Sequence, residues 1–334
     1  VLVNDGSTDD SDAIVKKYIR ELKKKKHKNA TKLHYLYKEN GGKGKALNTG
    51  IGAAKGELIL TVDADSALRE GSLKNLTKYY LDKDIMAVVG NVEVVNTSTL
   101  VGLAQHLEYF FGFYNKRAHA LLGGEYIFGG ACASFRKEVF DRIGLFDTEN
   151  KTEDIEMSMR TKFYGMKSTY AEDVICYTEG ASDVKSLVAQ RVRWKKGRLD
   201  TFRKYRSMFF STEDHHNVFL SFFVLPFSLL TEVTLVFEPI AIAIMVAFVM
   251  ISSEYLSLAL GICYIFLTFL AVPTFHSRPR VHYVLYFPFW PLFYFLDWVE
   301  FVSLYKSLKM IHRGQQVEWQ RWNRQGIHSY TKGK

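Results

Sequence analysis

Short apolar runs alternate with amphipathic stretches through the first half of the chain. Five of the runs have the length of buried strands: residues 1–4, 33–37, 57–62, 86–95 and 127–135. Apolar periodicity and glycine breaks predict helices between and after them: one that is capped by Asp9 or Ser11 and runs down to the lysines at 23–26, and others at residues 45–54, 100–120 and 155–163. This alternation predicts an α/β fold, in which an open sheet carries helices on both faces.

The last third of the chain has a different, almost uniformly apolar pattern. From Asn217 to Tyr305 only seven side chains carry charge, and all six prolines lie beyond residue 225. Four apolar segments follow one another: residues 218–230, 235–251, 255–275 and 283–304. The last two reach the roughly 20 residues that span a bilayer. We therefore predict a folded domain at residues 1–205, and interfacial and transmembrane helices with a basic tail at residues 206–334.

The topology of this apolar region is left open by the sequence. Residues 276–282 and 306–324 are both basic, so both favour the cytoplasmic side. One straight span at residues 283–304 would separate them. The alternative is that Pro288 and Pro291 break this segment into an interfacial or re-entrant hairpin.

Net charge and cysteine content narrow the function classes. The net charge of +9 favours a cytoplasmic face close to anionic lipid. We expect no nucleic-acid partner, because no nucleic-acid-binding signature accompanies the charge. Cys132, Cys176 and Cys263 are far apart and odd in number, so they predict neither disulfides nor a metal site. The chain opens on an apolar strand, and we expect it to begin partway into a longer protein.

Two carboxylates end the third predicted strand, in the sequence Asp63-Ala64-Asp65. Residues i and i+2 of a strand share a face, so both side chains would point to one place. Carboxylate oxygens hold Mg²⁺ or Mn²⁺ and leave coordination positions for phosphate oxygens. We predict that Asp63 and Asp65 bind one of these ions, and that Asp65 takes part in catalysis.

A second acidic motif, Thr152-Glu153-Asp154, stands just before a predicted helix. Taken alone, it would be a helix N-cap, since Thr152 or Asp154 could accept from free backbone amides. Beside a metal-bound substrate, Asp154 has the chemistry of a general base that deprotonates an acceptor hydroxyl. We predict that role for Asp154, and we expect Glu153 to orient its neighbours.

A third motif places Gln190, Arg193 and Trp194 at i, i+3 and i+4, on one face of a predicted helix. Tryptophan stacks on the apolar face of a sugar, and arginine binds a diphosphate bidentately. The alternative is a surface helix with a buried tryptophan. We predict that the three residues form a platform for the acceptor and the diphosphate.

Four further positions complete the predicted site. Lys43 lies in a glycine-rich break that lacks the Gly-Lys-[Ser/Thr] ending of a Walker loop, and it could meet a phosphate or a base. Asp5, at a strand end, could accept from a uracil N–H. Gly129 and Gly130 would allow an acceptor sugar to approach the backbone; a β-bulge is the alternative.

In this order, the motifs resemble those of the family 2 glycosyltransferases. The resemblance is to the membrane-bound processive synthases of β-linked polysaccharides, which include cellulose, chitin, hyaluronan and poly-N-acetylglucosamine synthases. It covers about residues 1–204 and the apolar tail, and residues 42–48 and 152–194 look most like poly-β-1,6-N-acetylglucosamine synthases. The matching segments are residues 3–9, 42–48, 63–65, 128–130, 152–154 and 190–194.

The resemblance implies a GT-A fold, which has an open mixed sheet with helices on both faces, and inverting transfer from a UDP-sugar to a growing polysaccharide acceptor, with Mg²⁺ or Mn²⁺ as cofactor. It puts Asp5 and Lys43 at the uridine, Asp63 and Asp65 at the diphosphate and metal, and Asp154 at the acceptor. N-acetylglucosamine is the expected sugar. The resemblance also implies a multi-pass protein of the cell (inner) membrane with a cytoplasmic catalytic domain, a bilayer as partner and accessory export subunits as candidates.

One departure from the family pattern concerns the start of the sheet. The family's opening strand and its N-terminal transmembrane helices are absent from this sequence, so we expect a gap in the sheet.

Two alternative functions are kept open. One is single transfer to a membrane lipid or lipid carrier, and the other is a non-catalytic, membrane-anchored partner or nucleotide sensor.

Overall fold

The structure is a computed structural model that describes residues 1–24, 33–252, 255–271, 287–317 and 326–327. Its strands are β1 (Leu2–Asp5), β2 (Tyr35–Lys38), β3 (Leu58–Thr61), β4 (Ser66–Leu68), β5 (Ile85–Val94), β6 (Ala133–Arg136) and β7 (Lys167–Thr178). The helices of the first half are α1 (Ser11–Lys24), α2 (Lys43–Ala53), α3 (Ser72–Tyr79), α4 (Leu100–Leu121), α5 (Lys137–Ile143) and α6 (Glu153–Phe163). The later helices are α7 (Val184–Lys204), α8 (Leu225–Ser252), α9 (Tyr255–Ala271) and α10 (Pro291–His312).

The strands form two separate sheets. β1 and β2 pair in parallel, with Leu2 opposite Tyr35. The larger sheet has the order β3-β6-β5-β7-β4; β5 and β7 are parallel, and its other pairs are antiparallel. The predicted mixed sheet is therefore confirmed. Within the described residues no strand joins β1 to the larger sheet.

Helices cover both faces of the larger sheet. Consecutive strand residues point to opposite faces, and Ala87, Val88 and Val89 of β5 are each 1% exposed. Leu76 of α3 and Phe113 of α4 belong to the same buried core. A central strand buried on both sides is typical of a sheet sandwiched between helices.

One predicted strand is largely wrong. Of residues 127–135, only the last three belong to β6, and residues 127–132 are irregular. Phe128 is buried, but its amide donates to Ser158 Oγ (3.0 Å) instead of a neighbouring strand. The run is apolar because it forms a loop that buries Phe128 and Cys132.

The first two predicted apolar segments are one helix. A π-helical turn at Leu220–Val224 continues directly into α8, and together they span Leu220–Ser252, 33 residues. Among the described residues this helix alone is long and apolar enough to cross a bilayer, and only 6% of its most apolar window is buried. Its exposed apolar surface is of the kind that lipid covers.

The other two apolar segments are only partly described. α9 covers 17 residues of the third segment, and residues 272–275 of that segment lie outside the described residues. In the last segment the 3₁₀ turn Phe287–Phe289 precedes α10, which begins at Pro291. α10 lies along α7, where it buries Leu296 and Val299. Residues 272–286, which include the basic loop 276–282 and the start of this segment, lie outside the described residues, so the alternative of a hairpin at residues 283–304 stays a prediction.

Candidate active site

A cavity of about 580 Å³ opens where β3 ends. It is lined by predicted site residues from five separate segments: Lys43, Asp63, Asp65, Gly129, Gly130, Asp154, Gln190, Arg193 and Trp194. The structure therefore brings together the motifs that the sequence assigned to one site. Asp5 and Glu153 do not line the cavity.

The two aspartates of Asp63-Ala64-Asp65 lie in a turn. β3 ends at Thr61, and the Ser66 amide donates to the Asp63 carbonyl (3.0 Å) where β4 begins. The prediction that both side chains share one face of a strand is therefore wrong. The turn nevertheless places both of them at the cavity.

Lys43 joins the two acidic motifs. As the first residue of α2, it places Nζ 2.7 Å from Asp63 Oδ1 and 3.4 Å from Glu153 Oε1. Burial favours the neutral amine, but the charges of Asp63, Glu153 and Asp154 outweigh it and raise the pKa of Lys43. Lys43 therefore stays a cation between carboxylates.

The carboxylate of Asp154 is fixed by two backbone amides. Oδ2 accepts from Gly130 (2.9 Å) and Oδ1 accepts from Ile155 (2.9 Å). A Cβ on Gly130 would lie 2.8 Å from Asp154 Oδ2 and 2.9 Å from Lys43 Nζ. Glycine at 130 therefore allows this close approach. The β-bulge alternative is wrong, since residues 129 and 130 lie outside the strands.

At the start of α6, Asp154 accepts from a free backbone amide, as its sequence allowed, but Thr152 does not. Thr152 is the N-cap residue, but its side chain makes no cap hydrogen bond and donates to Asn150 Oδ1 instead (3.0 Å). Thr152 is also in close contact with α7, because a Cβ on Gly197 would lie 1.9 Å from Thr152 Oγ1. The acidic motif is thus held against the helix that carries Trp194.

This contact gives a stability prediction. We expect Gly197→Ala to destabilise the fold by about 1–3 kcal/mol, as overpacking usually does, and to lower activity by displacing Thr152. Thermal unfolding in detergent measures the effect. The matched control is Gly52→Ala on α2, where nothing lies within 4 Å of a new Cβ and a neutral or slightly stabilising effect is expected. Equal unfolding temperatures for the two variants would contradict the contact.

Glu153 is a buried acid whose pKa is raised. Its side chain is 3% exposed. Burial raises the pKa of Glu153 to about 7; Lys43 opposes this rise, and the negative charge of Asp154 adds to it. Near neutral pH this carboxyl is therefore partly protonated, in contact with the lysine at the centre of the site.

The pKa of Glu153 predicts a pH-dependent stability. The folded protein holds this proton more tightly than the unfolded chain, so stability falls as pH rises from about 4.5 to 7, by about 3 kcal/mol. We expect Glu153→Gln to lack this loss. The measurement is the free energy of unfolding of both proteins at pH 5 and pH 8. An identical pH dependence in the two would refute the assignment.

The third motif lies on α7, which begins where Asp183 accepts from the Ser186 amide (2.9 Å). Gln190, Arg193 and Trp194 all line the cavity, as their spacing predicted. Burial lowers the pKa of Arg193, while the charges of Asp154 and Glu153 oppose this. Arg193 thus faces the acidic motif and presents a guanidinium to any anion in the cavity.

Asp5 holds the glycine-rich loop. Its carboxylate accepts from the amides of Gly41 (3.0 Å) and Gly42 (2.8 Å) and pairs with Lys38 (2.6 Å). Gly42 has φ +87°, a conformation that favours glycine. Asp5 therefore positions the loop that leads to Lys43, and its predicted contact with uracil stays a prediction.

The cavity is also lined by charged residues that were not predicted from the sequence. They are Glu108, Arg191, Lys195, Arg198 and Glu300. Two signals could have found them. The three cations recur at i, i+4 and i+7 on α7, and Glu300 is among the few charges in an apolar segment, where such residues are usually functional.

The cavity suits a metal ion bound together with a diphosphate. Within the described residues no three His, Cys, Asp or Glu side chains form a metal-binding group. Asp63 and Asp65 supply carboxylate oxygens, the ligands that Mg²⁺ and Mn²⁺ prefer, and Mg²⁺ is usually held by one or two carboxylates plus phosphates and water. The residues present therefore fit such an ion, with a substrate completing its coordination.

Comparison with known proteins identifies the family. The profile described as "Glycosyltransferase like family 2" matches residues 6–197. This match covers more than half of the chain, so the chain belongs to glycosyltransferase family 2, as the motif resemblance indicated. The matched segment contains the two acidic motifs, Lys43, and the platform on α7.

Individual relatives agree with this assignment. Poly-β-1,6-N-acetyl-D-glucosamine synthase of Staphylococcus aureus strain COL is 30% identical over 200 residues, which cover 59% of this chain and 46% of the synthase. The Staphylococcus epidermidis synthase is 30% identical over 205 residues. The chain thus spans less than half the length of these synthases.

A solved structure shows the fold. The mannosyltransferase PcManGT of Pyrobaculum calidifontis, determined with GDP-mannose and Mn²⁺, matches 92% of this chain and 76% of its own, with a TM-score of 0.55 and 20% identity. The fold is therefore that of the GT-A glycosyltransferases, as expected.

Proposed function

We propose that the protein is an inverting, metal-dependent glycosyltransferase that extends a β-linked polysaccharide at a membrane. The donor is a UDP-sugar, and N-acetylglucosamine is the sugar that the staphylococcal relatives favour. One observation carries the proposal: Asp63, Asp65 and Asp154 line one cavity together with Arg193 and Trp194.

The donor would lie with its diphosphate near Asp63 and Asp65. Lys43 and Arg193 are the cations at this end, and each can bind phosphate oxygens. When bound, Mg²⁺ or Mn²⁺ at Asp63 and Asp65 would neutralise the charge that develops on the departing diphosphate. Asp5 would support this end through the glycine-rich loop.

The acceptor would lie against α7, with its terminal sugar stacked on Trp194 and hydrogen-bonded by Gln190. Asp154 takes the proton of the acceptor hydroxyl as its oxygen attacks the anomeric carbon. The bond from that carbon to the diphosphate breaks on the opposite face, so one displacement inverts the configuration. Two backbone amides hold Asp154 in place for this step, and general-base catalysis of this kind contributes roughly 10²–10⁴-fold.

The membrane setting is the second part of the proposal. The helix Leu220–Ser252 exposes an apolar surface long enough for a bilayer. We propose a multi-pass protein of the cell membrane with its catalytic domain in the cytoplasm, in which the polymer leaves beside the apolar helices. Accessory export subunits are the partners that such a route would involve.

A donor screen tests the function. The protein in lipid nanodiscs, given Mn²⁺ and a panel of UDP-sugars, should release UDP and form a ladder of products with UDP-N-acetylglucosamine. A single added sugar per acceptor would instead favour transfer to a lipid or lipid carrier. UDP binding without release of UDP from any donor would overturn the enzymatic proposal and favour a nucleotide sensor.

A further inference from the structure

Six charged side chains meet where α7 lies against α4, α8 and α10. We name this group the ion cluster; it consists of Glu108, Arg191, Lys195, Arg198, Glu232 and Glu300. All three cations come from one face of α7. The three carboxylates come one each from α4, α8 and α10, so the cluster connects the helix of the acceptor platform to three other helices.

The pairing within the cluster is dense. Arg191 binds Glu108 with both terminal nitrogens and also lies 3.1 Å from Glu300 Oε1. Lys195 Nζ lies 2.8 Å from Glu300 Oε2 and 2.8 Å from Glu232 Oε2. Glu232 also pairs with Arg198. Each carboxylate of the apolar helices therefore binds two cations.

The cluster is mostly shielded from solvent. The side chains of Arg191, Lys195 and Glu232 are 6%, 8% and 5% exposed. Desolvating such charges offsets most of their attraction, and well-packed apolar residues would often give equal or better stability. A contribution to stability is therefore a weak explanation for six charges at this position. A better explanation is that their hydrogen-bonded pairs fix the geometry of the helices.

Arg191 links the cluster to the cavity. Its guanidinium lies over the ring of Trp194, 4.6 Å from the ring centroid. Arg191 is itself held by Glu108 and Glu300, so the position of the tryptophan depends on where α4 and α10 lie. Trp194 lines the cavity, and so does part of the cluster.

We propose that the ion cluster is a positioning device that couples the apolar helices to acceptor binding. Glu232 of α8 and Glu300 of α10 hold Lys195 and Arg191, and Arg191 fixes the ring of Trp194. The seating of α8 and α10 against α7 thus sets how well the platform binds an acceptor sugar. This inference rests on the proposed function and names positioning residues for it.

Glu300→Gln tests the coupling with little risk to folding. In this variant Arg191 keeps Glu108 and Lys195 keeps Glu232, so neither cation loses its last carboxylate. We expect the KM for an acceptor oligosaccharide to rise by about tenfold, while the UDP dissociation constant and the unfolding temperature stay close to wild type. Glu300→Asp, which restores the charge, should recover part of the loss.

Two further variants complete the experiment. Glu238→Gln removes a carboxylate of α8 that forms no ion pair within the described part of the chain, and it should leave the acceptor KM unchanged. Arg191→Lys keeps the charge but loses the bidentate pair and the flat stacking surface, so it should raise the acceptor KM as well. Turnover by the wild type is the separate check on the proposed function.

An unchanged acceptor KM in Glu300→Gln and Arg191→Lys, with UDP binding intact, would overturn the coupling. A decrease in UDP affinity and unfolding temperature together with acceptor affinity would also overturn it, because it would show that the cluster has a general structural role. A rise in acceptor KM confined to the cluster variants would support it.

Discussion

Asp154→Asn should lower the rate of sugar transfer by about 10²–10⁴-fold, the usual contribution of a general base. Asparagine has nearly the same shape as aspartate, and its carbonyl oxygen can still accept one of the two backbone amides of Gly130 and Ile155. It cannot take a proton from an acceptor hydroxyl. The loss should therefore fall on the chemical step.

The measurement is single-turnover transfer at saturating donor, with UDP affinity determined separately by calorimetry. UDP binding should change little, because the diphosphate lies at Asp63 and Asp65 in this proposal. Asp141→Asn on the exposed side of α5 is the matched control and should transfer at the wild-type rate. Wild-type transfer by Asp154→Asn would remove Asp154 from the role of base.

Asp65→Asn should abolish most of the metal dependence of donor binding. An amide is a weaker ligand for Mn²⁺ than a carboxylate, and losing even an outer-shell partner of a metal costs roughly 10–100-fold in affinity or activity. We expect a loss of at least that size in the affinity for UDP with Mn²⁺, and a corresponding loss of transfer.

Chelation provides the internal control for Asp65. With EDTA present, wild type and Asp65→Asn should bind UDP equally weakly, because neither can use a metal. Titration calorimetry with and without Mn²⁺ measures this difference. A variant that gains as much affinity from Mn²⁺ as the wild type would show that Asp65 is not a metal ligand.

The site was largely predictable because its chemistry is concentrated in short motifs. Asp63, Asp154 and Trp194 each stand in a local pattern whose residue types indicate a role, and strand ends in α/β sheets indicate where such residues meet. The α/β fold could also be predicted, because a strand that is buried on both faces appears in the sequence as a continuous apolar run.

The wrong predictions of strands and membrane spans arose where apolar residues are buried without forming the predicted element. Residues 127–132 form a loop beside α6 that buries Phe128 and Cys132, and apolar composition alone cannot distinguish such a loop from a strand. The apolar segments were read as spans by length, but α10 packs along α7 and buries Leu296 there. Hydropathy indicates that a helix surface is shielded from water, but it does not distinguish shielding by lipid from shielding by another helix.

Contacts between side chains that are far apart in the chain could not be predicted from the sequence. Lys43 was placed in the site, but its bridge between Asp63 and Glu153 depends on segments brought together by the fold. The pairing of Arg191 with Glu108 and Glu300 likewise joins residues on three different helices. The spacing of the cations on α7 is visible in the sequence, but the carboxylates with which they pair lie on other helices and cannot be assigned from spacing.

The most direct test is a structure of the protein with UDP and Mn²⁺, in which anomalous scattering locates the metal. The expected result is Mn²⁺ between the diphosphate and the carboxylates of Asp63 and Asp65, with Asp154 and Trp194 facing the space where the sugar would lie. Nucleotide and metal bound away from the cavity, with Asp63 and Asp65 contacting neither, would contradict it.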